Sequence, residues 1–108
     1  MSVIDEIEIE RQRQISDEGW SHSHDDKHQS GEIAGAAAAY AQVAADQAEY
    51  AALDMIGEDL DEMDPPDSWR WAYCWFKPKD ARRNLIRAAA LIVAEIERID
   101  RAAEKSDV

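Results

Sequence analysis

An alanine-rich run between residues 32 and 56 decides most of what this chain can fold into. Alanine has the highest helix propensity of all residues, so the run predicts a long helix. Its best apolar stripe is narrow and built mainly from small side chains, which bury little area per residue. The stripe consists of Ile33, Ala37, Tyr40, Ala41, Ala44 and Ala48. A helix of this kind can approach a neighbour closely but contributes little core by itself.

The rest of the chain does not make up for this shortage. Of the 108 residues, 19 are Ala and only 19 are Leu, Ile, Val or Phe, while the net charge is −12. These values lie near the boundary of disordered chains, and the length allows one domain, residues 1–108. Because a small chain with few large apolar residues gains core by self-association, we expect a homo-oligomer.

Helical periodicity and helix-breaking residues predict an all-α bundle of three or four helices. We expect one helix over residues 3–17, stopped at Gly19, and a last helix capped by Asp80. Residues 21–31 and 65–78 are predicted to be loop and turn, and residues 104–108 a frayed tail. The predicted core stripe of the last helix consists of Leu85, Ala88, Ala89, Ile92, Ile96 and Ile99.

Several classes of protein are excluded by simple counts. A single cysteine, Cys74, excludes a disulfide framework, and we expect it to be a small buried residue. The sequence contains no run of about 18 apolar residues, so it predicts no membrane span. Its acidic N-terminus is unlike a secretory signal. Bulk nucleic acid needs a cationic surface, which a net charge of −12 does not provide. We therefore expect a cytoplasmic protein.

The charge is distributed unevenly. Residues 46–67 contain nine acids and no base, whereas residues 68–87 contain six bases, one acid and five of the eight aromatic residues. One interpretation is that the basic segment pairs with the acidic one. The other is a local anion site, in which aromatic faces and cations act together.

The basic aromatic segment suggests a nucleotide site. Trp20 and Trp75 are candidates for walls against a base, and the start of the last helix offers free amides to a phosphate. The candidate phosphate-binding residues are Lys77, Lys79, Arg82 and Arg83. The alternative is that most tryptophans simply form the core.

A second polar cluster lies in the predicted loop. His24, Asp25, Asp26 and His28 are candidates to contact ribose hydroxyls or to order the pocket. A divalent metal is the alternative ligand, held by His24, Asp25, His28 and Glu32. A third interpretation is structural, with carboxylates capping amides and imidazoles packing on Trp20.

Both clusters lie in segments that resemble a family of small uncharacterised proteins of tailed phages and prophages. The similarity covers about half of the chain at its two ends, whereas residues 42–68 look like a variable insertion. Its motifs are Glu18-Gly19-Trp20-Ser21, His24-Asp25-Asp26 and Lys77-Pro78-Lys79-Asp80-Ala81-Arg82-Arg83. The first motif is also weakly similar to the ryanodine-receptor repeat domain.

The resemblance implies a phage protein in the bacterial cytoplasm. Small acidic phage proteins without catalytic motifs are often counter-defence proteins. We therefore expect the chain to bind and sequester a nucleotide-derived immune signal, of cyclic nucleotide or ADP-ribose type, without turnover. Two alternatives stay open: a metal-dependent nucleotide phosphohydrolase, and an acidic inhibitor of a host defence protein whose carboxylates imitate nucleic acid.

Overall fold

The computed structural model describes residues 1–52 and 64–106, and the regular structure in these ranges is entirely helical. This confirms the predicted all-α class. A 3₁₀ turn, Tyr73–Trp75, lies in the segment before the last helix. The α-helices are α1 (Val3–Asp17), α2 (His22–Asp26), α3 (Glu32–Ala52) and α4 (Ala81–Ser106). No helix among the described residues is long and apolar enough to cross a membrane.

Local sequence signals account for both ends of α1. Ser2 forms a capping box with Asp5, in which each side chain binds the other residue's backbone amide at 3.1 Å. After α1, Gly19 adopts the left-handed conformation (φ +72°), and the Trp20 amide donates to the Gln14 carbonyl at 2.9 Å. Gly19 therefore ends α1 as predicted, and Trp20 folds back over the end of the helix.

The prediction of a loop over residues 21–31 is wrong for its first half, which forms α2. The Ser21 hydroxyl accepts from the His24 amide at 3.3 Å, so a good N-cap starts the helix. Asp25, 2% exposed, is held by an ion pair with Arg11 of α1 at 2.7 Å. Five residues are too few to show a helical period in the sequence, and this tertiary contact stabilises them.

The core lies mainly between α3 and α4, which run antiparallel. Gln47, near the end of α3, accepts from the Asn84 side chain at 2.9 Å at the start of α4. Further along, the Arg87 guanidinium lies over the Tyr40 ring, 5.8 Å from its centroid. The buried apolar cluster contains Ile33, Ala36, Ala37, Ala39, Tyr40, Val43, Trp69, Phe76, Ala88, Leu91 and Ala94.

The prediction that the apolar stripe of α4 forms the core of the chain is wrong. Leu85, Ile92, Ile96 and Ile99 are each between 51% and 53% exposed, whereas Ala88 is buried. The neighbouring face carries the packing against α3, through Leu91 and Ala94. Small side chains on both helices permit close approach there, and the larger residues face outward.

The interface of α1 is polar, although Val3, Ile4 and Ile7 lie near a helical period in the sequence. Val3 and Ile4 are exposed and Ile7 is partly exposed, while the buried residues of α1 are Glu10, Arg11 and Gln14. Ion pairs to α2 and α4 replace apolar contacts on this side of the molecule.

The segment before α4 packs tightly across α3. Gly35 makes this possible, because a Cβ atom there would lie 2.2 Å from the Ser68 carbonyl oxygen. Trp69 is buried and donates its indole N–H to the Ala72 carbonyl at 3.1 Å. Cys74 is exposed, contrary to expectation, because it lies on the outward-facing 3₁₀ turn.

Asp80 caps α4 as predicted, since its carboxylate accepts from the Arg83 amide at 2.9 Å. The helix continues to Ser106, further than the frayed tail expected from residue 104. Residues 53–63, 107 and 108 lie outside the described residues. Residues 53–63 include most of the acids of segment 46–67 and the expected end of the alanine-rich helix near Gly57.

Candidate functional site

An aromatic pocket of about 350 Å³ opens where α2 faces the segment before α4. Four of the residues predicted from sequence meet in its lining: Trp20, His24, His28 and Trp75. The other lining residues are Glu18, Trp71 and Ala72. The volume lies near the lower end of the range of about 300–1,000 Å³ usual for small-molecule sites.

The rings in this pocket form a continuous aromatic wall. Trp20 stacks on His24 with an interplanar angle of 11°, and the centroids of His24 and His28 are 4.6 Å apart. Trp71 contacts all three of these rings at centroid distances between 5.3 and 6.1 Å. Trp75 is 60% exposed and lies on the outer side of the pocket lining.

Each imidazole in the pocket is oriented by a carboxylate. The Nδ1 atom of His24 lies 3.0 Å from Asp25, and that of His28 lies 3.0 Å from Glu32. Burial alone would raise the pKa of Glu32, but hydrogen bonds from His28 and from the Glu32 and Ser30 amides outweigh it and lower the pKa. An ionised acceptor at Nδ1 favours a proton there, which leaves Nε2 as the nitrogen that can meet a ligand.

The two predicted aspartates have structural partners instead of lining the pocket. Asp25 binds Arg11, which also donates to the Trp20 carbonyl at 3.2 Å and so ties α1 to the pocket wall. Asp26 pairs with Arg101 of α4 at 2.8 Å, and this hydrogen bond lowers the pKa of Asp26. Both carboxylates therefore position α2, and their predicted contacts with ribose remain a prediction.

The structure does not bring the predicted phosphate-binding residues into the pocket lining. Lys77 and Lys79 are exposed on the approach to α4. Arg82 binds Glu6 of α1 with both terminal nitrogens, at 2.9 and 2.6 Å, and Arg83 binds Glu10. Among the described residues, Arg82 and Arg83 of the basic segment therefore pair with α1.

The candidate metal ligands do not converge. Among the described residues, no group of three or more His, Cys, Asp or Glu side chains is arranged to hold a metal ion. The four candidates instead form the two histidine–carboxylate pairs, His24 with Asp25 and His28 with Glu32.

The sequence places Trp71 in the basic aromatic segment but did not single it out as a ligand-binding residue. In the structure it joins both halves of the site. Trp71 packs edge-on against Trp69 of the core and also lines the pocket. Its indole N–H is buried and has no acceptor among the described residues. The spacing of Trp69 and Trp71 was the available signal, since residues i and i+2 of an extended segment lie on the same side and their side chains can meet.

Comparisons with known proteins assign no family to the chain. No protein-family model matches it, and neither curated proteins nor solved structures gave a significant match. The resemblance to phage proteins therefore stays a prediction.

Proposed function

We propose that this protein binds a nucleotide-type ligand in the pocket between α2 and the segment before α4, and sequesters it without turnover. The observation that carries the proposal is the convergence of Trp20, His24, His28, Trp71 and Trp75 on one cavity. A concave, largely apolar site with a few convergent polar groups is the usual form of a small-molecule site.

The side chains that line the pocket favour a ligand that contains a planar ring. Trp75, being largely exposed, offers a face on which a base can stack, and each stacked base contributes about 1–3 kcal/mol in comparable sites. The Nε2 atoms of His24 and His28 provide hydrogen bonds whose direction is fixed by Asp25 and Glu32. These imidazoles replace Lys77, Lys79, Arg82 and Arg83 as the polar contacts of the proposed ligand.

The biological setting is part of the proposal and depends on the phage resemblance. In that setting the ligand is an immune signal of cyclic nucleotide or ADP-ribose type, made by the infected bacterium. A protein that removes such a signal needs affinity and abundance more than catalysis, which suits an aromatic binding pocket.

The first prediction concerns the exposed wall of the pocket. Calorimetric titration with ADP-ribose, cyclic di-AMP and ATP should detect binding of at least one. Trp75→Ala should then weaken binding about tenfold or more, because it removes a stacking surface. Tyr73→Ala is the matched control, since Tyr73 lies on the same 3₁₀ turn, is 66% exposed and does not line the pocket.

The outcomes separate the proposed roles. Equal loss in both variants, or no binding of any probe by the unaltered protein, would contradict the proposed site. Ligand recovered intact after heat release, with and without manganese, supports sequestration. New products in the manganese sample would instead identify a metal-dependent phosphohydrolase.

A further inference from the structure

The lining of the aromatic pocket contains a carboxylate. Glu18, directly after α1, belongs to the lining, whereas no Lys or Arg of the described segments does. Its side chain is 30% exposed. Arg13 donates to one oxygen of this carboxylate at 3.0 Å, and no described residue donates to the other. Because Arg13 also binds Glu10 through two nitrogens, Glu18 still has an oxygen that can meet a positively charged ligand.

The two imidazoles of the pocket add further acceptors. Asp25 and Glu32 lie 3.0 Å from the Nδ1 atoms of His24 and His28, which favours the tautomer with its proton on Nδ1. In this tautomer Nε2 carries a lone pair and accepts a hydrogen bond. The oxygens of a phosphate are acceptors as well, so they are disfavoured beside these nitrogens. The polar atoms of the lining instead suit a ligand group that donates hydrogen bonds or carries positive charge.

The indole rings of the lining provide faces that attract a cation. Trp20, Trp71 and Trp75 all belong to it, and the centroids of Trp20 and Trp71 are 5.5 Å apart at an interplanar angle of 50°. The face of an aromatic ring carries partial negative charge, and Trp attracts cations more strongly than Tyr or Phe. Several such faces around one cavity are the usual way in which proteins recognise organic cations.

We propose that the ring bound in this pocket is positively charged, so that the ligand is a nucleotide whose base is an N-alkylated aromatic cation. Such a ring is planar and stacks on Trp75, and its delocalised charge is weakly hydrated. Its phosphates lie outside the lining. This proposal rests on the proposed nucleotide function and names the class of the base. An oxidised nicotinamide dinucleotide fits it, because that molecule is ADP-ribose joined to such a ring.

The second prediction compares probes that differ in this charge. NAD⁺ and NADH share their phosphates, riboses and adenine, but only NAD⁺ has a positively charged nicotinamide ring. Calorimetric titration of the full chain at neutral pH should give a Kd for NAD⁺ at least about tenfold below that for NADH, because cation–π attraction acts on the charged ring alone. ADP-ribose, which lacks the ring, should bind no more tightly than NADH. 7-Methyl-GTP against GTP makes the same comparison for an alkylated purine, and the larger ratio identifies the base.

Glu18→Gln tests the carboxylate while keeping the size of the side chain. It should weaken NAD⁺ binding about threefold and leave NADH binding unchanged, because only the charged ring interacts with the lost charge. Glu8→Gln is the matched control, since Glu8 is exposed on α1, lies outside the lining and removes the same charge from the chain. Circular dichroism should show both variants to be helical, because Arg13 keeps its pair with Glu10.

The outcomes separate the charge of the ring from the nucleotide function. Equal affinity within both probe pairs, with binding detected, would overturn the charged ring and leave the nucleotide function standing. Binding of 1-methylnicotinamide without binding of any nucleotide would support the charged ring and contradict the nucleotide function. Affinity for ADP-ribose that rises steeply as the pH falls would mean that protonated imidazoles hold a phosphate, and would overturn the proposal. Binding of none of these probes would contradict both.

Discussion

Glu10 shows how a single charged residue can take the place of apolar packing. Its side chain is fully buried and accepts from Arg13 at 2.7 and 2.8 Å and from Arg83, with Arg87 4.0 Å away. Burial alone would raise the pKa of Glu10, but these hydrogen bonds and charges outweigh it and hold the pKa below 4.5. The carboxylate therefore stays ionised and joins α1 to α4.

The third prediction is that Glu10→Ala lowers the free energy of unfolding by about 3 kcal/mol. Removing one member of a buried ionic cluster leaves uncompensated charges, here the guanidinium groups of Arg83 and Arg87, since Arg13 keeps its pair with Glu18. Urea unfolding followed by circular dichroism measures the change. Glu6→Ala is the control, because Glu6 forms an exposed pair with Arg82 and its loss should have a much smaller effect. Equal effects would show that burial does not determine the contribution of Glu10.

At the scale of the element, the segment before α4 depends on one close approach. A methyl group at Gly35 would clash with the Ser68 carbonyl, and this contact holds the segment that carries Trp69 and Trp71 against α3. The position of Trp71 in the pocket wall therefore depends on the contact between Gly35 and Ser68, neither of which lines the pocket.

The fourth prediction uses this contact. In an unobstructed helix Gly→Ala stabilises by about 0.5–1 kcal/mol, but Gly35→Ala should instead lower the melting temperature and expose Trp69 to fluorescence quenchers. Ala38→Gly, on the exposed side of α3, is the comparison and should show only the loss of helix propensity. Stabilisation by Gly35→Ala would mean that the segment packs elsewhere.

At the scale of the whole molecule, ion pairs connect the first two helices to α4. Hydrogen bonds from Arg82 and Arg101 lower the pKa values of Glu6 and Asp26, and the pKa of Glu10 is lowered as well. An acid whose pKa is lower in the folded state adds stability above its unfolded pKa, and this stability is lost as the pH falls through the folded value.

The fifth prediction follows from the lowered pKa values of these acids. The free energy of unfolding should be nearly constant from about pH 7 to pH 5 and should fall below about pH 4.5, the ordinary value for Glu. Urea unfolding at a series of pH values measures it. The fall should be smaller in Glu10→Gln, which carries no titrating group at this position. A profile that stays flat down to pH 3 would exclude ionised carboxylates as the connection.

Local chemistry explains what could be predicted from the sequence. Helix propensity, the Gly19 stop and the Asp80 cap act within a few residues, so the long helices were predicted correctly where they are described. The residue types of the pocket were also predictable, because exposed tryptophan and clustered histidine are unusual in so small a chain. Trp20, His24, His28 and Trp75 could be chosen for this reason, although not their arrangement.

The sequence by itself thus determined the helices and the chemical character of the candidate site. Only the tertiary structure decided which helix faces are buried and which charges pair. Periodicity identifies an apolar stripe on α4 but not whether it meets its own chain, and α3 packs against the adjacent, smaller-residue face instead. Likewise, Arg82 and Arg83 are free cations in the sequence, and only the position of α1 gives them Glu6 and Glu10 as partners. Burial and pairing depend on contacts between residues far apart in the chain, which local patterns do not specify.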